Sequence, residues 1–165
     1  MSSISVGGSD GARHRRRYIN GIKRSLRELS VQLSLLNRHV GARLDMRDVD
    51  LDCLDLIERH GPLSPTALAR RTGLHPATMT GILDRLQRGG WITRERDPEA
   101  TDRRAVVVRP RRDRGAEVFR LYAGMNSSLD DICAGFTDAE LVTLGEFLRR
   151  ATEAGRGAAA ELATE

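Results

Sequence analysis

The sequence predicts a mainly α-helical fold with a small β-hairpin wing, in which two short helices and the hairpin stand between long amphipathic helices. Three observations predict it. Apolar residues recur every three or four positions near both ends of the chain; two short helices with proline just inside each start follow one another in the middle; and two β-rich runs flank a turn directly after them.

Residues 1–12 are Ser/Gly-rich without periodicity, the composition of a disordered tail. From about residue 13 to 44, Ile19, Ile22, Leu26, Leu29, Leu33, Leu36, Val40 and Leu44 form one helical stripe. A helix of ~30 residues is a rod of roughly 45 Å. Such a rod exceeds what a domain of this size covers on its own, so part of its stripe is expected to meet a second subunit. Asp45 is expected to start the next helix as its cap, with Asp48 in the first turn against the helix dipole and Val49, Cys53, Leu54, Leu56 and Ile57 on its apolar side. His60 falls in the last turn, where a cation suits the dipole.

Gly61-Pro62 stops that helix, with Gly61 expected in the left-handed conformation. Ser64 then caps a short helix, Pro65 fits its first position, and Leu63 can staple to Leu68. Gly73 ends it. The grammar repeats with Leu74, His75 as cap, Pro76 and Met79, and the second short helix carries Met79, Ile82, Leu83 and Leu86 on one face. Ala77, Thr78, Thr80, Gly81, Asp84, Arg85 and Arg88 remain on the other. Two helices joined by a glycine turn of this length form a helix-turn-helix, whose second helix enters a DNA major groove. Trp91 to Arg96 and Arg104 to Arg109 are rich in β-formers around Asp97-Pro98 and Asp102, which makes a hairpin, a wing. Beyond it, residues 115–134 show a long stripe through Val118, Tyr122, Met125, Leu129 and Ile132. Thr137-Asp138-Ala139-Glu140 is a capping box, stapled by Phe136 and Leu141, for a last helix that should end before Gly155. Residues 155–165 are expected to fray.

These residues resemble the MarR-type winged-helix transcriptional regulators. The resemblance rests on Ala77 to Leu86 (Ala-Thr-Met-Thr-Gly-Ile-Leu-Asp-Arg-Leu), on Gly90-Trp91-Ile92, and above all on Arg96-Asp97-Pro98 followed by Asp102-Arg103-Arg104-Ala105. It spans roughly residues 18–151. One departure is Gly81, where many relatives carry a larger, often basic residue. The resemblance implies a single domain over residues 13–154, with a winged helix-turn-helix at about 45–110. The helices at 13–44 and 115–154 would interlock as a homodimer interface.

Composition agrees with a nucleic-acid partner. The 165 residues are 39% hydrophobic and 30% charged, ordinary for one soluble domain. The net charge of +4 is segregated: residues 1–47 carry +7, 48–61 carry −4, 62–115 carry +6 and 116–165 carry −5. Basic charge gathers in the N-terminal arm, the helix-turn-helix and the wing, a footprint for a polyanion. Arginine supplies 26 of the 27 basic residues. No stretch approaches the ~20 apolar residues of a membrane span, and no apolar signal sequence opens the chain, so a cytoplasmic protein with no membrane partner is expected. Cys53 and Cys133, 80 residues apart, suggest neither a metal site nor a disulfide framework; buried thiols are expected, and the resemblance adds redox sensing as the alternative. No phosphate loop, zinc motif or nucleophile elbow is present and the four histidines are scattered, so neither an enzyme nor a cofactor is expected.

The reading is therefore a sequence-specific regulator of double-stranded DNA with a palindromic operator, and the resemblance makes it a repressor released by a small-molecule effector. Ala77, Thr78 and Thr80 would face base edges, since hydroxyls bond edges or phosphates and a small methyl meets thymine. Arg85 and Arg88 would hold phosphates; Arg103 or Arg104 would reach the minor groove, with Asp102 orienting an arginine. Relatives often bind phenolic or carboxylate compounds beside the dimer helices, and His39, Arg43 and Tyr122 are the polar candidates for that effector pocket. The alternative from another class is a winged-helix module for protein or RNA, without sequence-specific DNA binding.

Overall fold

A computed structural model describes residues 7–97 and 105–162. Its elements are α1 (Gly7–Arg43), α2 (Asp48–His60), α3 (Pro65–Thr72), α4 (Pro76–Arg88), β1 (Ile92–Arg96), β2 (Val106–Pro110), α5 (Arg112–Cys133) and α6 (Asp138–Leu162). The chain divides into two compact units, Met1–Asp45 and Met46–Glu165. This is the mainly helical, winged helix-turn-helix architecture that the sequence predicts.

The first unit is α1, a single helix of 37 residues. It begins at Gly7, ahead of the expected start near residue 13. Its apolar stripe is open over much of its length, with Tyr18, Ile19, Ile22, Leu29 and Leu33 exposed. Asp45 does not cap the next helix. It adopts φ 53°, the left-handed conformation that aspartate tolerates better than most residues. Helix α2 starts three residues later, after an extended Arg47 that offers no side-chain cap, and Asp48 and Asp50 supply negative charge in its first turn.

In the second unit, α2, α3, α4 and the hairpin enclose one core. Leu54, Ile57, Leu68, Met79, Ile82, Leu83, Leu86, Ile92 and Val108 are all fully buried, each contributing about 1.5–3 kcal/mol relative to exposure. The turns that shape this core follow local chemistry. Ser64 Oγ accepts from the Ala67 amide at 3.1 Å, and Gly73 closes α3 at φ 68°. Gly61 works otherwise than expected: its φ is −61°, extended and not left-handed. Glycine is needed there for space, because a Cβ would run into the Ile57 carbonyl oxygen.

Strands β1 and β2 pair antiparallel from Ile92↔Pro110 to Arg96↔Val106. Leu63 adds a bridge on the other edge of β2, exchanging backbone bonds of 3.2 and 2.8 Å with Val108. The hairpin is thereby fastened to the entry of α3.

Helices α5 and α6 continue past this core. Val118 is the only residue of α5 that is buried among those described, and α6 has none. The capping box at the start of α6 forms as read: Glu140 accepts from the Thr137 amide at 2.8 Å, and that bond, with one from the Thr137 hydroxyl, holds its carboxyl below the usual carboxylate range. Helix α6 does not stop at Gly155. It runs to Leu162 through an alanine-rich segment, whose propensity outweighs two glycines at ~1 kcal/mol each.

Candidate nucleic-acid interface

Helix α4 is held in place from one side and free on the other. Its cap is the unusual His75, whose Nδ1 accepts from the Ala77 amide at 3.2 Å. Met79, Ile82, Leu83 and Leu86 anchor the inner face, while Ala77, Thr78, Thr80 and Arg88 are exposed. Thr80 donates its hydroxyl to the Pro76 carbonyl at 3.0 Å, which leaves its oxygen lone pairs facing outward as acceptors. Gly81 lies on the same outer turn and adds no side chain, so the exposed surface there is low and shaped by Thr78 and Thr80.

Arg85 is not a free cation. It makes a bidentate pair with the buried Asp50 of α2, Nε to Oδ2 at 2.8 Å and Nη2 to Oδ1 at 2.6 Å. The planar fork fixes both the spacing and the rotation of α4 against α2. Asp50 is legible in the sequence as an anomaly: it sits in the stripe of Cys53, Leu54 and Ile57, and a carboxylate on a buried face needs a partner. Nothing in the sequence says which arginine that is. Nearby, Cys53 is fully buried and its thiol is pushed up to about 11, by desolvation first and then by Asp52 and Asp50. A thiol so held is a poor nucleophile, which argues against redox sensing at this position; Cys133 is exposed.

The wing is tied to α4 by a second ion pair, Arg94 of β1 to Asp84 at 2.6 Å. At the junction, Gly90 takes φ 72° and Gly89 makes room for the Trp91 ring, which a Cβ would strike. Arg114 stacks over Trp91, 3.8 Å from the ring centroid, and donates to the Gly89 carbonyl. The hairpin is therefore braced where it leaves α4. The Asp97 amide donates to the Ala105 carbonyl at 2.9 Å, closing the hairpin as far as it is described. Asp102, Arg103 and Arg104 lie outside the described residues.

The region 48–106 matches the model of the MarR family. The chain is similar to that family over this region, about a third of its length. It is 29% identical over 127 residues to the HTH-type transcriptional regulator YcgE of Bacillus subtilis, covering 77% of this chain and 81% of that protein. In structure it is similar to the transcriptional regulator Tm0710 of Thermotoga maritima (25% identity, TM-score 0.59, 82% of this chain and 94% of that one). It is likewise similar to a mutant MepR from a multidrug-resistant S. aureus clinical isolate, with 15% identity, TM-score 0.69 and coverage of 81% and 96%; that likeness is one of fold. The MarR family is one of transcriptional regulators, which suits a free helix face beside a braced hairpin. No helix among the described residues is long and apolar enough to cross a membrane.

The three effector candidates sit in different surroundings. His39 and Arg43 are exposed on α1. Tyr122 of α5 is half-buried, its hydroxyl pKa raised by burial and then by the charges of Asp55 and Asp52. The charge of Arg59 acts in the opposite direction there.

Proposed function

We propose that this regulator binds duplex DNA sequence-specifically as a homodimer, and represses transcription until a small molecule releases it. The observation that carries the reading is the clamped α4: three of its side chains most suited to base edges are exposed on a helix whose opposite face is buried and whose rotation is fixed by Arg85–Asp50. Thr78 and Thr80 supply hydrogen-bonding oxygens and Ala77 a methyl-sized contact in the major groove. Arg88 holds a phosphate. Arg103 or Arg104 would reach the minor groove from the wing, with Asp102 orienting an arginine. Arg85 contributes through position and not through contact.

The dimer is supported by α6, a helix of 25 residues with no buried residue in the single chain. Helices in proteins draw most of their stability from a covered apolar face, and a second copy provides one. A two-fold dimer reads a palindrome with half-sites about one helical turn apart, ~34 Å. The effector is a phenol or carboxylate drawn to His39, Arg43 or Tyr122.

The test is binding to the duplex upstream of the chain's own gene, measured against salt. Arg103→Ala and Arg104→Ala should weaken binding to specific and unrelated duplex alike, and lower the slope of log K against log salt by roughly 0.9 for each phosphate left without its arginine. Thr78→Ala should chiefly narrow the gap between specific and unrelated DNA. Normal affinity and slope in both arginine variants would instead favour a protein- or RNA-binding module.

A further inference from the structure

We propose that α1 carries a second DNA-binding element, a basic stripe that engages duplex phosphates independently of α4 and the wing. Between residues 11 and 27 the helix has seven basic residues and no acidic one. Arg13, Arg16, Arg17, Arg24 and Arg27 recur at spacings of three, four and seven with Asn20 between them, so they share one side of the helix. The apolar residues Ile19, Ile22, Leu29 and Leu33 fall on the opposite side. Whatever covers the apolar face leaves the arginines open. All five are exposed, and a shallow groove over Asn20 and Gly21 is lined by four of them.

Some of the chain's other arginines are already paired with carboxylates. Arg59, Arg85, Arg94, Arg109, Arg114 and Arg149 each hold a carboxylate within 3.1 Å. In the stripe, Arg13 has only a contact of 3.8 Å with Asp10, and Arg16, Arg17, Arg24 and Arg27 form no ion pair among the described residues. Like charges one turn apart repel, and an external polyanion removes that repulsion. The stripe is about 20 Å long, a length over which duplex DNA presents roughly a dozen phosphates. Guanidinium groups on a rigid rod suit phosphate oxygens by their fork of donors. Arginines spread along a rod over this length match the regular spacing of phosphates, so the stripe adds affinity more than sequence choice.

This inference rests on the duplex-binding reading, and the experiment separates the two. Full-length protein, the triple variant Arg16→Gln/Arg17→Gln/Arg24→Gln, the matching triple Lys variant and the single Arg24→Gln are titrated against a fluorescent operator duplex and an unrelated duplex at several salt concentrations. Circular dichroism and light scattering monitor the fold and the mass. The Gln triple should bind both duplexes at least tenfold more weakly at ~0.1 M salt, with a salt slope smaller by up to about 2.7, three phosphates at roughly 0.9 each. The Lys triple should keep the wild-type slope, and Arg24→Gln should lower it by about 0.9. Wild-type affinity and slope in a folded Gln triple would overturn the stripe alone. Failure of the wild-type protein to bind any duplex would overturn both readings. A Gln triple that keeps DNA binding but no longer binds phosphatidylglycerol vesicles would assign the stripe to a membrane surface and overturn the proposal.

Discussion

Helices α4 and α6 carry apolar stripes of the same spacing and meet opposite fates. Met79, Ile82, Leu83 and Leu86 of α4 are each 1% exposed or less, whereas Leu144, Phe147 and Leu148 of α6 are between 40% and 50% exposed. Periodicity states which face of a helix is apolar; it does not state which molecule covers that face. In α4 the cover comes from α2, α3 and β1 of the same chain, and in the proposed assembly α6 is covered by a second copy. The winged-helix body is thus complete in one chain. The helices outside it are not.

That difference can be tested by where concentration matters. Leu83→Ala should cost about 2–5 kcal/mol through the cavity it leaves, and the destabilisation, read by urea unfolding, should be the same at low and high protein concentration. Arg85→Ala should come next, at about 3 kcal/mol, because it strands the buried Asp50 carboxylate without its partner. Its effect on DNA binding should track misplacement of α4, so Arg85→Lys, which keeps the charge and removes the fork, should also bind poorly. If Arg85→Lys binds normally and only the neutral variant fails, Arg85 is a phosphate contact after all. Leu148→Ala should have the smallest effect on the single chain, within about 0.5 kcal/mol for an exposed position. It should nevertheless raise the dimer dissociation constant tenfold or more, as sedimentation would measure; an unchanged constant would place Leu148 outside the interface.

Local chemistry is what the sequence makes legible. Ser64, His75 and Thr137 cap the helices that their positions predict, because the partner amide lies two or three residues away. Gly73 bends as glycine must at φ 68°. The misses lie where distant groups decide. In sequence Arg85 is a free cation on an outer face, but its partner is 35 residues away on another helix. Gly61 has the pattern of a left-handed stop, and its reason is crowding at Ile57. Asp45 has the composition of a cap, yet the chain places it in a left-handed turn and begins α2 at Asp48. The shared face of the α1 arginines follows from their spacing in the sequence; that four of them form no ion pair among the described residues is seen only in the folded helix.

A dimer that reads DNA through two copies of α4 must leave a symmetric footprint. Hydroxyl-radical footprinting of the full-length protein on the duplex upstream of its own gene should show two protected half-sites related by a two-fold axis, their centres ~34 Å apart, with two chains bound per site. A single asymmetric half-site, protected at full affinity by one chain, would contradict it.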